Sequence, residues 1–390
     1  MRILMFNYEY PPVGGGGGVA HALIAEELAK RHDVYVITSA FPGLPAFETT
    51  PGGVRIHRVP VFGRTDRAAA SLVSLISYPP MAWVHGARLL RTRAFHVVNA
   101  HFAVPTGVGS LPPARRARVP HVLTLHGGDI YDPSKRTSPH RLPGVRAAVT
   151  TVLRRSDVVV AQSTNTRDNA YRYYGYRGPI EIIPLGIRVP RVPPQSRAEL
   201  GLPEDGFLAV TVGRLVRRKA VDRLLGVLAR PECAETSLVV VGSGPELDAL
   251  RNLATRLGIA SRVHFTGWVD DVRKWQILHA ADAYVSSTLH EGFGLVYLEA
   301  MAAGLPVIAP DHGGQVDFLR DRETGFVTPA GNDASLAAAL AMLRHDREGA
   351  RRIGRANRER FESYRIERCA AAYERVFERL AARGTDLAPA

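Results

Sequence analysis

The sequence predicts an α/β protein built from two Rossmann-like, doubly wound domains that face each other across a cleft, with a C-terminal helix that returns to the first domain. Three observations predict it. Short β-rich runs alternate with helical stretches twice along the chain, a proline-dense connection separates the two series, and 390 residues are too many for one ordinary core. With 46% hydrophobic and 22% charged residues the chain reads as globular, without a disorder signature.

The first series runs RILMF, a helix over 19–31, VYVIT, VRIHRV, HVVNA, HVLTL, DVVVA and IEIIP. Alternation of this kind implies a parallel sheet covered by helices. Proline is dense in IRVPRVPPQSRAELGLPEDG, positions 187–206, as in a connection between domains. The second series runs FLAVTVG, a helix from 219, SLVVVG, a helix from 245, RVHFTG, a helix from 271, DAYVSS, a helix from 294, and PVIAP. Residues 335–383 are helical and rich in Ala, Arg and Glu. The expected division is therefore 1–187, 188–360, and a returning helix over 361–390.

Composition narrows the function. Cys233 and Cys369 have neither metal nor redox spacing, and Ile3–Phe6 is too short for the apolar core of a signal peptide, so a cytoplasmic setting is expected. Residues 1–187 carry 22 basic against 11 acidic side chains, whereas residues 188–390 carry 28 against 26. A basic first half suits an anionic partner such as a phosphorylated substrate or a membrane surface, but 46 arginines among 50 basic residues also fit a coding bias. Ala68–Ala87 has no formal charge and is about as long as a bilayer is thick. Pro79 and Pro80 interrupt it, and Ser71, Ser74 and Ser77 form a polar stripe, so two readings stand: a helix packed on the sheet, or a helix lying on a membrane at the inner face.

The chemistry concentrates in SSTLHEGFGLVYLEAMAAGLPVIAPDHGG, positions 286–314. Glu291 falls in a glycine turn after a strand and Glu299 in the helix that follows. Ligands of parallel α/β sheets bind at such strand ends, and ionised glutamates accept hydrogen bonds from sugar hydroxyls. A solvated surface pair is the plainer alternative. Arg214 and Lys219 follow another strand and could clamp a diphosphate, while Arg217 and Arg218 read as an exposed basic turn. Five glycines, Gly14–Gly18, allow close backbone approach to a ligand. No acidic residue ends the second strand, which argues against a dinucleotide site. His101 and His126 lie at strand ends, and His126 leads into Gly127, Gly128 and Asp129. No spacing of His or Cys supports a metal.

Together these motifs resemble the retaining family 4 glycosyltransferases of the GT-B fold. EGFGLVYLEAMAAGLPVIA is similar to the family's paired-glutamate signature, YEYPPVGGGGGV to its glycine loop, GRLVRRK to its phosphate clamp, VGSGPE to the turn after it, and TLHGGD to its histidine turn. The resemblance implies a donor-binding second domain and an acceptor-binding first one. His126, Glu291, Arg214 and Lys219 would be the catalytic set. Gly15, Gly16, Gly267, Phe293, Gly294, Leu295, Val296 and Glu299 would bind the donor, with Glu299 on the ribose and Phe265–Trp268 along the base; His101 and Asp129 would meet the acceptor. No metal or cofactor is implied beyond a nucleotide diphosphate sugar as co-substrate. The acceptor is a hydroxyl compound, phosphate-bearing or lipid-linked if Arg88, Arg91, Arg93, Arg115, Arg116 and Arg118 serve it, and nucleic acid is not an expected partner. The sequence departs from the family pattern at Leu185 and Arg188, at Asp317, and at Ser363–Tyr364, away from the clamp. Two other readings remain at this stage, a sugar-nucleotide epimerase of similar fold and a basic protein that binds nucleic acid or membrane without catalysis.

Overall fold

The computed structural model describes residues 1–67 and 69–385, and side chains to residue 382. Ala68, at the start of the uncharged stretch, and residues 386–390 of the expected segment 361–390 lie outside the described residues. The chain divides into two compact units: Met1–Ile187 joined by the segment from Tyr364 on, and Arg188–Ser363.

The first unit holds strands β1 (Arg2–Phe6), β2 (Asp33–Ser39), β3 (Phe47–Thr49), β4 (Arg55–Val59), β5 (Val97–His101), β6 (His121–Leu125), β7 (Val158–Ala161) and β8 (Glu181–Ile182). They form one sheet in the order β3-β4-β2-β1-β5-β6-β7-β8. Every pairing is parallel except β3 with β4, so the sheet is mixed at that edge and not purely parallel as expected. FET is too short and too polar to announce a strand in the sequence. Helices α1 (Gly16–Ala29), α2 (Leu72–Thr92), α3 (Val108–Arg116), α4 (Pro143–Arg155) and α5 (Thr164–Tyr174) follow the strands. The runs LMF and VYVI are continuously apolar because helices cover the sheet, and Leu4, Phe6, Ile37 and Val98 are fully buried.

Helix α1 begins three residues before position 19, inside the glycine run, with Gly15 at its N-cap. Helix α2 runs straight through Pro79 and Pro80. Its serine stripe faces inward: Ser71 caps the helix, Ser74 bonds the Tyr8 hydroxyl at 2.6 Å, and Ser77 accepts from the Phe62 N–H at 3.0 Å.

The second unit holds β9 (Phe207–Val212), β10 (Thr236–Val241), β11 (Val263–Gly267), β12 (Ala283–Val285), β13 (Val307–Pro310) and β14 (Gly325–Thr328), all parallel, in the order β11-β10-β9-β12-β13-β14. Helices α6 (Val221–Leu228), α7 (Leu247–Arg256), α8 (Asp271–Ala280), α9 (Leu295–Ala303), α10 (Asp333–His345) and α11 (Arg347–Phe361) complete it. The last helix, α12 (Ile366–Thr385), belongs to the first unit. It packs on α1, where Glu374 pairs with Arg31 at 2.6 Å and with His32 at 2.7 Å.

Candidate active site

In the second unit β9 and β12 are neighbours in the sheet, although β10 and β11 intervene in sequence. A reversal of this kind opens a crevice at the carboxyl ends of the two strands. The segments leaving them meet there. Lys219 donates to Glu291 Oε1, and Arg218 lies 3.2 Å from Glu291 Oε2 while donating to the His290 carbonyl at 2.6 Å. The Glu291 side chain is only 10% exposed. Burial pushes its pKa up, but the Lys219 ammonium and Arg218 guanidinium outweigh burial and hold it down to about 2. Its backbone is pinned as well, since the Gly314 N–H donates to the Glu291 carbonyl at 2.8 Å.

Glu299 lies on α9, where Lys274 of α8 donates to its Oε1 at 2.7 Å. Its Oε2 is buried and has no partner among the described residues. Burial raises the pKa of this carboxyl despite Lys274, and Lys219 is close enough to act on it too. A ligand hydroxyl would supply the missing bond. Helix α9 opens on Gly294, whose φ of +91° only glycine adopts readily and whose Cβ would strike the Tyr297 ring at 2.4 Å. No side chain caps this helix, so the N–H groups of Leu295 and Val296 are the unsatisfied kind that attracts anions. The Phe293 ring is buried against Phe318, with centroids 5.0 Å apart.

The glycines that end β9, β10 and β11 stand side by side. Gly213 N–H donates to Val241 O and Gly242 N–H to Gly267 O, both at 2.9 Å, and a Cβ on Gly242 would lie 2.0 Å from Gly213 O. VGSGPE is therefore a close-packed turn. Arg214 follows Gly213 and is exposed, and Trp268, next to Gly267, is 78% exposed.

In the first unit the same reversal occurs between β1 and β5, and it brings the glycine loop against the β5 end. A Cβ on Gly17 would sit 2.4 Å from the Phe102 ring, and one on Gly18 would sit 3.1 Å from the Glu9 carbonyl. These glycines serve internal packing. Gly16 faces open space, and the Gly15 N–H donates to the Glu9 carboxylate at 2.9 Å. Phe102 itself has φ +75°, a strained conformation at a strand end that holds its ring 4.7 Å from His126.

His101 and Asp129 do not present themselves to an acceptor. His101 is fully buried, with one ring nitrogen on Asn99 and the other on His126, both at 2.9 Å. Asp129 accepts from the Ala103 N–H at 2.7 Å and the His126 N–H at 3.0 Å, so it shapes the histidine turn. Burial still raises its pKa to about 6 against those backbone donors. His126 is 9% exposed, and burial depresses its pKa to about 3, which keeps the ring neutral. Sequence reasoning missed Arg218, taken for a solvated turn, and Lys274. One of only four lysines, Lys274 carried no signal but its scarcity.

Residues 13–191 match the family described as Glycosyltransferase Family 4, and residues 193–360 match that described as Glycosyl transferases group 1. Over 381 residues, 92% of this chain and 93% of the other, the sequence is 30% identical to a GDP-mannose-dependent alpha-(1-6)-phosphatidylinositol monomannoside mannosyltransferase of Mycobacterium tuberculosis. The chain belongs to the family 4 glycosyltransferases. Its fold is similar to that of sucrose-phosphate synthase from Thermosynechococcus elongatus, with a TM-score of 0.84 at 23% identity, covering 98% of this chain and 100% of the other. It is also similar to Anabaena HepE in complex with UDP-glucose, with a TM-score of 0.76 at 20% identity and coverage of 97% and 99%. The glycosyltransferase is thus an enzyme of carbohydrate biosynthesis, a hexosyltransferase with the two α/β units of the GT-B fold.

Proposed function

We propose that this glycosyltransferase takes a hexosyl unit from a nucleotide diphosphate sugar and transfers it, with retention, to an acceptor hydroxyl. The observation that carries the donor assignment is Glu299, whose Oε1 is held by Lys274 while its buried Oε2 lacks a donor. A ribose hydroxyl fits that vacancy. Lys219, Arg214 and the N–H groups of Leu295 and Val296 would take the diphosphate, with Gly16 offering backbone to it; the Gly15 N–H is held by the Glu9 carboxylate and would have to exchange it for a phosphate oxygen. Glu291 would accept from a hydroxyl of the transferred sugar, and His126 would face that sugar. Gly267 and Trp268 would border the base.

In the proposed step the bond from the anomeric carbon to the leaving phosphate oxygen breaks as the acceptor oxygen bonds to the same face, and the acceptor proton passes to that phosphate oxygen. The products are the glycoside and a nucleoside diphosphate. Side-chain cations would stabilise the departing charge, so EDTA should leave the rate unchanged. A GDP-mannose-dependent relative and a solved structure of similar fold that holds UDP-glucose support the donor class. Thermal shifts with UDP, GDP, ADP and dTDP sugars would identify the donor, because a ligand at about a hundred times its Kd adds about 2.7 kcal/mol. An inverted anomeric centre in the product, or stabilisation by none of these donors, would reject the reading.

The acceptor side of the proposal rests on α2. Leu72, Val73, Ile76, Trp83 and Val84 share its outer face and are 48 to 72% exposed, with Arg88 and Arg91 in the turns that follow. From Arg67 to Gly128 the sequence holds seven arginines and no acidic residue. No helix among the described residues is long and apolar enough to cross a membrane. An apolar face beside arginines suits the surface of an anionic bilayer, where each cation contributes about 1 kcal/mol. Sedimentation with phosphatidylglycerol vesicles should retain the protein at low salt, and Ile76→Glu should release it. Equal binding to phosphatidylcholine vesicles, or none to either, would refute a membrane-borne acceptor.

A further inference from the structure

The buried hydrogen-bond chain beneath His126 decides which of its nitrogens carries the proton. Asn99 Nδ2 donates to the Val122 carbonyl and to Thr124 Oγ1, both at 3.1 Å. A carbonyl can only accept, so the orientation of the amide is settled and Asn99 Oδ1 is an acceptor. His101 Nε2, 2.9 Å away, must therefore carry a proton. A neutral imidazole has one proton, which leaves His101 Nδ1 as an acceptor, and the only group bonded to it among the described residues is His126 Nε2 at 2.9 Å. That nitrogen is then the donor. Burial drives His101 far below the ordinary histidine range, and the ring is fully buried with the His21 ring tilted against it, centroids 4.2 Å apart.

We infer that Asn99 and His101 form a positioning relay that holds His126 in its Nε2–H tautomer and leaves Nδ1 as a bare acceptor. No described residue bonds Nδ1, and it is not among the fully buried unpartnered atoms. It is the face the ring offers to a ligand hydroxyl. The consequence for catalysis rests on the proposal that His126 faces the transferred sugar: with the opposite tautomer the ring would present a donor there in place of an acceptor, as happens when an orienting partner is lost from a catalytic histidine.

Long-range nitrogen–proton NMR on the full chain labelled with 15N-histidine reads the tautomer directly, the His126 signals being assigned by their loss in His126→Asn. The expected wild-type pattern is a protonated Nε2 and an unprotonated Nδ1. His101→Asn places an acceptor oxygen near the former Nδ1 and should keep both the pattern and kcat. His101→Leu removes the acceptor and should give a mixture of tautomers, with kcat lowered about tenfold, the equivalent of one hydrogen bond of ordinary strength. A wild-type His126 protonated on Nδ1, or a His101→Leu variant with unchanged tautomer or unchanged kcat, would overturn the relay. If His101→Leu does not fold, the wild-type and His101→Asn spectra decide. Should His126→Asn leave kcat intact, the sugar assignment fails while the tautomer measurement stands.

Discussion

Lys219→Ala is expected to lower turnover at least about a hundredfold, since one preorganised charge on a departing diphosphate is worth that much. It should also destabilise the second unit. Glu291 is 10% exposed, and removing Lys219 leaves its carboxylate buried with Arg218 alone. Breaking a buried pair from one side costs about 3–5 kcal/mol, and the remaining guanidinium at 3.2 Å should hold the loss near or below about 3 kcal/mol. The two effects can be separated. In Lys219→Met combined with Glu291→Gln the buried carboxylate is gone and Arg218, 29% exposed, keeps the His290 carbonyl, so thermal stability should recover to within about 1 kcal/mol of the parent. Turnover, followed as nucleoside diphosphate release, should stay low. Recovery of activity together with stability would mean that the pair is only structural.

Acidification should unfold the first unit before the second. His21, His101, His121 and His126 are all buried there, and burial holds His21, His121 and His126 at about 3 and His101 well below the ordinary histidine range. The sign follows from proton uptake. In the unfolded chain these groups titrate near about 6.5, so below that pH the unfolded state binds more protons and stability falls as pH falls. The contribution is fully present above about pH 6.5 and is lost progressively down to the folded values near 3. Each histidine gives a slope of up to about 1.4 kcal/mol per pH unit, so four would remove up to about 8 kcal/mol by pH 5. Asp129, raised to about 6 by burial, acts in the opposite direction, but it is one group against four. Hydrogen exchange read separately over the two units would detect the order of unfolding. Both ring nitrogens of His21 are buried without partners among the described residues, and its ring lies between Tyr10 and His101. His21→Phe keeps that packing and removes one titrating group, so it should move the acid midpoint to lower pH; an unchanged midpoint would count against burial as the cause.

Most strands were legible because their side chains are continuously apolar, a pattern that survives without any partner in view. The paired glutamates and the glycine turns were legible for a similar reason: a strand, a glycine and a helix start lie next to one another in sequence, and their order alone places Glu291 and Glu299 at a strand end. The strand FET was not, because it is an edge segment held by the backbone of β4 and needs no apolar signature of its own. Arg218 and His101 were misjudged for a different reason. The partner of Arg218 is 73 positions away and that of His101 is 25 away, and nothing local distinguishes a paired arginine from a solvated one.

By itself, then, the sequence determined the two α/β series, the proline connection and the positions where ligand-binding turns must fall, since each depends on near neighbours along the chain. Only the tertiary structure decided which charges meet in those turns. The reversal of strand order beside β9 brings Lys219 to Glu291 across 72 residues, and the pairing of β5 with β6 brings His101 to His126. Burial then does the rest, because in a low-dielectric surrounding two neighbouring cations fix the Glu291 carboxylate as an anion and one neighbouring amide chooses a histidine's tautomer.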